Sequence, residues 1–291
     1  MANNTTTWGS LLRYYDNITE DLYQRSDART RDMLFMRNMG GMFLLTASYL
    51  VMAVVGPRIM AKRKAFELKW PMFIYNVAIS IFSLWMCLEM LTQSWKSGYS
   101  YLCDPYKLSY APADIRIVNV IWWYFVSKAI EFLDTVFMVL RKKNNQITVL
   151  HTWHHSFMLP CFYFVTLLGP CGLALQGPII NAFVHVVMYA YYALSLFPQL
   201  APFLWWKKYL TQMQLLQFFL LLTNNVYGLV VACDFPPVLA YIQLCFLGSL
   251  VVLFTNFYIK AYIKGKKHGG RGGRTQRTQP EQPHETEKKE L

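Results

Sequence analysis

The sequence predicts an all-α polytopic membrane protein, and three observations carry that prediction. Hydrophobic residues fill 55% of the 291 positions and charged residues only 15%, well below the roughly 25% charge of soluble domains. The apolar residues arrive in seven runs, each near the ~20 residues a helix needs to cross a ~30 Å hydrocarbon core. Nothing alternates with the period of a membrane β-strand, and helices satisfy their own backbone polar groups inside lipid. This composition excludes both an ordinary cytosolic globule and a disordered chain.

The elements follow in order. Residues 1–37 are polar and charged, without the apolar stretch of a cleavable signal peptide, and are expected outside the membrane. Seven transmembrane helices are predicted at about 38–56, 71–93, 115–140, 149–168, 172–197, 209–232 and 237–259. They make residues 38–262 one membrane domain without internal repeat. Residues 263–291, dominated by Gly, Gln, Pro and charge, read as a disordered tail.

Charge sets the sidedness. Lys plus Arg is 28 against 16 Asp plus Glu, a net +12. In a chain this apolar the excess points to a membrane surface or an anionic ligand rather than nucleic acid. Seven spans put the termini on opposite sides. With the C-terminus in the cytosol, nineteen of the 28 Lys and Arg lie on that side, eight on the other, and Lys128 alone inside a span. Sequons at Asn3, Asn4 and Asn17 fit a luminal N-terminus open to glycosylation. The terminal Lys288-Lys289-Glu290-Leu291 reads as a cytosolic dilysine address for retrieval to the endoplasmic reticulum. Among six cysteines no CxxC occurs. Cys103 and Cys233 fall in luminal loops, where a bridge between them would persist, and free thiols are the alternative. Cys171 lies at a luminal helix edge.

Polar groups inside the spans mark a site, because charge at mid-membrane costs ~2.5–3.5 kcal/mol per residue. Lys128, Glu131 and Thr135 share one face of span three, while Asp134 falls about 120° away, toward Arg141, Lys142 and Lys143. The plain alternative is a Lys–Glu pair that holds helices together. Span four carries His151, His154 and His155 on one arc of ~100°. Span five carries Asn181, His185, Tyr189 and Tyr192 as a stripe. Span six opens with Thr211, Gln212, Gln214 and Gln217, and Asn224 follows a heptad later. These side chains converge on one polar chamber between helices.

Three readings fit the histidines. His151-x-x-His154-His155 is similar to the boxes of membrane di-iron desaturases and hydroxylases, and His151, His155, His185 and Glu131 would suffice for a zinc. The second reading is a non-enzymatic seven-helix receptor or transporter with paired histidines and tyrosines. The third is metal-free acyl chemistry, since a neutral imidazole is both nucleophile and general base near pH 7. No Gly-x-Ser-x-Gly is present. Cys161, six residues after His155, is expected off the histidine face.

Four motifs in order then carry a resemblance. They are Lys128-x-x-Glu131-x-x-Asp134-Thr135, His151-x-x-His154-His155, His185-x-x-Met188-Tyr189-x-Tyr191-Tyr192 and Thr211-Gln212-x-Gln214, with Asn181 four before His185. From Gly56-Pro57-Arg58 to Asn256-Phe257-Tyr258 the chain resembles the fatty-acid elongase (ELO) family of very-long-chain condensing enzymes.

The resemblance implies seven helices around an acyl tunnel. It implies an acyltransferase of the endoplasmic reticulum that condenses acyl-CoA with malonyl-CoA to 3-oxoacyl-CoA, CO₂ and CoA. No metal or cofactor beyond those substrates is expected. The partners implied are membrane lipid and the ketoacyl reductase, dehydratase and enoyl reductase of the cycle. A homodimer is one expected assembly, though no GxxxG pair specifies it. CoA phosphates are expected against Arg58, Lys62, Arg63, Arg141, Lys142, Lys143, Lys207 and Lys208. In the mechanism expected here, His151 attacks the thioester to give an acyl-imidazole and His185, facing it, moves the proton. His154, His155, Asn181, Gln214 and Gln217 orient the rings or donate to the oxyanion. Lys128, Glu131, Asp134, Tyr189, Tyr192 and Gln212 complete the substrate-binding set. Direct condensation without a covalent intermediate is the competing route. Gln146, with Trp122-Trp123-Tyr124, is similar to the polyunsaturated and very-long-chain branch.

Overall fold

A computed structural model describes residues 7–264, so the tail with its Lys288-Lys289 signal, and Asn3 and Asn4, lie outside the described residues. Each apolar run becomes helix. α2 (Met39–Met60) starts at Asn38, whose side chain accepts the Gly40 N–H at 2.8 Å. α3 is Lys69–Lys96, α6 Val149–Leu168, α7 Gln176–Ser195, α8 Lys207–Val230 and α9 Pro237–Tyr258. Thr148 caps α6, its side chain accepting the His151 N–H at 3.2 Å, so the histidine arc starts from a fixed turn.

Two elements depart from the sequence reading. The N-terminal segment carries a helix, α1 (Thr7–Arg25). It is supported by i,i+4 pairs, Arg25 with Asp21 at 2.9 Å and Gln24 donating to Glu20 at 2.6 Å, that a search for apolar runs does not register. The run at 115–140 is broken into α4 (Pro112–Ile130) and α5 (Phe132–Leu140). At the break the Asp134 N–H bonds to the Glu131 carbonyl, three residues back, at 3.1 Å. The Tyr75 hydroxyl donates to the Ile130 carbonyl at 3.5 Å. One turn is tightened there and a side-chain hydroxyl reaches the backbone ladder.

Among the described residues five helices are long and apolar enough to cross a membrane: Met39–Met60, Lys69–Lys96, Gly172–Ser195, Lys207–Val230 and Pro237–Ile263. The chain is a multi-pass membrane protein. α4–α5 and α6 fall outside that group because the first carries Asp114, Arg116, Lys128 and the break, and the second carries three histidines.

Residues Met1–Thr255 form one compact unit. In it α3 packs along α7 and α4, α4 on α6, α2 on α5 and α6, and α7 on α8. α9 joins through Trp153 Nε1 donating to Ser249 Oγ at 2.9 Å and a Phe157–Phe246 stack at 4.4 Å. In the second unit, Asn256–Leu291, the described residues finish α9 and form a π-helical segment, Ile259–Lys264.

One end of the Met1–Thr255 unit is closed by covalent and ionic ties. Cys103 and Cys233 form a disulfide, and beside it the Tyr106 N–H bonds to the Asp234 carbonyl at 2.6 Å. Arg29 pairs with Asp27 at 2.6 Å and donates to the Ser109 carbonyl at 2.9 Å. Burial works against the Arg29 charge, but the Asp27 hydrogen bonds and charge outweigh it and hold the guanidinium's pKa above its ordinary value. Gly172 has φ +68°, and a Cβ there would sit 2.6 Å from the Pro105 carbonyl oxygen, so only glycine allows this crossing.

Candidate active site

The break at Glu131 organises the site. Lys128 and Glu131 are each 1% exposed, with Lys128 Nζ donating to Glu131 Oε1 at 2.6 Å and lying 4.2 Å from the centre of the Tyr124 ring. The same carboxylate oxygen lies 3.4 Å from His185 Nδ1 and accepts from Ser127 Oγ at 3.4 Å. Glu131 Oε2 is buried with no hydrogen-bond partner among the described residues. Asn181 is tied to this cluster through its carbonyl, which accepts from the Tyr124 hydroxyl at 2.5 Å and from Lys128 Nζ at 3.4 Å. Its amide N–H groups are therefore the ones left to face a ligand.

The histidines separate into two settings. His151 Nε2 and Thr135 Oγ1 share a hydrogen bond of 2.7 Å, and Thr135 also donates to Tyr49 at 3.3 Å. His155 is buried between Tyr49, Phe132 and the His151 ring. His154 touches His155 and Phe246, and among the described residues makes no hydrogen bond. His185 stands with Glu131 and Tyr189. No hydrogen bond or ring contact joins His151 to His185 directly among the described residues, and Thr135 holds His151 toward α5.

A narrow cavity runs from His154 along α6. Tyr124, Asn181 and Gln217 line it, with Met158, Cys161 and Phe162 farther along. Cys161 thus shares a face with His154, contrary to the sequence reading: the two are seven residues apart, close to two helical turns. Gln217 is 4% exposed and its Oε1 has no partner among the described residues.

The other predicted residues divide cleanly. Asp134, expected toward Arg141, accepts from the Tyr189 hydroxyl at 2.6 Å. Gln214 contacts Met188 Sδ at 3.3 Å. Gln212 and Tyr192 are exposed and do not line the cavity. Arg141 contacts Met72, Lys142 Nζ donates to the Ala61 and Arg63 carbonyls at 3.0 and 3.2 Å, and Lys143, Lys207 and Lys208 are exposed. Asn17 is exposed on α1. Tyr124 and Gln243 were missed as site residues. Tyr124 precedes Lys128 by one turn on the same face, and Gln243 is one of two side-chain amides, with Asn256, in apolar α9; both signals were legible.

The family described as ELO, GNS1/SUR4 family, matches residues 34–270. The chain belongs to the ELO family. It is 44% identical over 238 residues to very long chain fatty acid elongase 5 of Xenopus tropicalis, covering 82% of this chain and 80% of that protein. With very long chain fatty acid elongase 2 of Mus musculus the identity is 40% over 257 residues, covering 87% and 88%. Human very long chain fatty acid elongase 5 is 41% identical over 238 residues, covering 82% and 79%. The ELO match takes in every motif of α4 to α8, and only the first 33 and last 21 of the 291 residues fall outside it.

Proposed function

We propose that this ELO protein is a fatty-acid elongase, condensing a long-chain acyl-CoA with malonyl-CoA to a 3-oxoacyl-CoA, CO₂ and CoA. The observation that carries the reading is His154, an imidazole without a hydrogen-bond partner among the described residues, at the head of a cavity lined mainly by apolar side chains. Moving acyl methylenes out of water into such a cavity favours binding by ~0.8 kcal/mol each. The acyl group in this reading is very long, in line with the names of the elongase 5 and elongase 2 relatives, or polyunsaturated, as the resemblance at Gln146 suggests.

In the proposed reaction His154, rather than His151, is the nucleophile. Its ring nitrogen attacks the thioester carbonyl, the carbon–sulfur bond breaks, and CoA leaves as the thiol after taking up a proton. Asn181 and Gln217 are the amide donors nearest the developing oxyanion. Malonyl-CoA then loses CO₂, its α-carbon attacks the held acyl carbonyl, and the nitrogen–acyl bond breaks to free the imidazole. His185, oriented by Glu131, is the acid–base group for these transfers. His155, edge-on to the His154 ring and itself against His151, positions His154.

The rest of the reading concerns placement. Seven helices cross the membrane of the endoplasmic reticulum, with α4–α5 and α6 as the two spans carrying chemistry. The N-terminus is luminal and the dilysine tail cytosolic. CoA's phosphates meet the exposed Lys207 and Lys208 and the Arg141–Lys143 turn. Downstream reductases and dehydratase receive the product, and no metal takes part.

The test uses the purified full-length protein with acyl-CoA alone. Release of CoA together with an acyl-histidine at residue 154 by mass spectrometry supports the scheme, as does loss of both in His154→Ala. Condensation without either overturns the covalent route and favours direct attack. Stoichiometric iron or zinc in active protein overturns the metal-free chemistry.

A further inference from the structure

We infer that Gly177 sets how long an acyl chain the cavity accepts, an assignment that rests on the elongase reading above. The cavity lining follows α6 from His154 through Cys161 to Val165. Eleven residues of helix rise about 16 Å, so the space leads away from the reacting end for most of a bilayer leaflet. α7 forms the facing wall with Asn181 and Gly177. Gly177 stands eight residues before His185, or about 12 Å along the helix axis, deep in the cavity on the disulfide side.

Gly177 is buried in the first turn of α7, directly before Pro178, and is not among the residues of positive φ. A residue without Cβ suits that place locally, since the Cβ of the residue before a proline crowds its ring in helical backbone. Packing between helices does not require the glycine: apart from its chain neighbours, an added Cβ would meet only Gln243 Nε2, at 3.7 Å, an ordinary contact. Gly228 shows the other situation: a Cβ there would lie 2.7 Å from Leu173 Cδ2, so that glycine is held by helix packing.

What Gly177 leaves is room in the cavity wall. Gln243, on α9 opposite, is fixed by Asn225 Nδ2 donating to its Oε1 at 3.2 Å, which keeps the wall from closing over that room. An acyl group held at His154 reaches Gly177 only if it is long. A side chain at 177 then excludes the far methylenes of long substrates and leaves short ones untouched.

The experiment measures malonyl-CoA-dependent elongation of acyl-CoAs of increasing length by the full-length wild type, Gly177→Ala and Gly177→Leu. The readout is the ratio of kcat/KM for the longest accepted substrate to that for the shortest, within one preparation. Gly177→Leu is expected to lower this ratio about 10–200-fold, the range for a misfit of a methylene or more in an apolar pocket. Its products should stop one two-carbon step earlier, with Gly177→Ala between the two. An unchanged ratio in Gly177→Leu overturns the assignment. If Gly177→Leu elongates nothing, Gly177→Ala decides: a several-fold fall in the ratio supports the role, and no change overturns it. A wild type that elongates no acyl-CoA defeats the elongase reading itself, whereas an active wild type with length-blind variants defeats the Gly177 assignment alone.

Discussion

Two buried ion pairs in this molecule are built differently. Asp27 and Arg29 sit two residues apart at the disulfide end, with side chains 0% and 2% exposed. Asp27 takes the Arg29 N–H and guanidinium and the Tyr106 hydroxyl, at 2.8, 2.6 and 3.0 Å, while the guanidinium also reaches the Ser109 carbonyl. Lys128 and Glu131 are buried just as fully, yet one carboxylate oxygen serves Lys128, Ser127 and His185 while the other has no partner among the described residues. A buried charge with every valence used holds structure. A buried charge with an open valence is costly, and such groups concentrate where chemistry is done. The first pair ties a loop to the end of α6; the second ties the junction of α4 and α5 to an imidazole.

That contrast can be broken, beginning with the largest effect. Glu131→Gln keeps the shape but removes the charge beside His185, and should lower condensation about 10²–10⁴-fold, the usual worth of acid–base catalysis. Elution of the variant as a folded protein separates this from collapse; a variant that loses fold and turnover together would make the two pairs alike. Asp27→Asn should do the reverse. It leaves Arg29 buried beside a neutral partner and should cost about 3–5 kcal/mol of stability, read by thermal unfolding in detergent, while turnover at low temperature stays near that of wild type. Cys103→Ser opens the bridge to Cys233, 130 residues away, and should cost about 2–5 kcal/mol. Reduction of the wild type should match it in unfolding temperature. The smallest effect sharpens the cavity argument: Gly177→Ala should leave the unfolding temperature near that of wild type, because alanine's better helix propensity is offset by its Cβ crowding Pro178 in the first turn of α7.

The helices were legible because lipid leaves few options: a run of apolar residues long enough to cross must be helical to satisfy its backbone. The predicted edges at 149–168 coincide with α6, where Thr148 at the cap and Gly169 after the end give local signals. The polar residues were legible as a set for the same reason, since charge inside an apolar run stands out. Their partners were not. Periodicity put Asp134 off the Lys128–Glu131 stripe but could not name Tyr189 of α7 as its partner, nor Thr135 as that of His151. α1 was missed because side-chain pairs rather than apolar residues support it.

The sequence by itself determined that this chain is a bundle of membrane helices with Lys128, Glu131, four histidines and several amides inside it. Those conclusions depend on composition and on local spacing along one helix. Only the tertiary structure decided which histidine heads the cavity, that Tyr124 and Lys128 turn the Asn181 amide, and that Gly177 borders open space. Each of these depends on how separate helices cross, and a crossing is fixed by contacts between residues far apart in the chain, which no local pattern encodes.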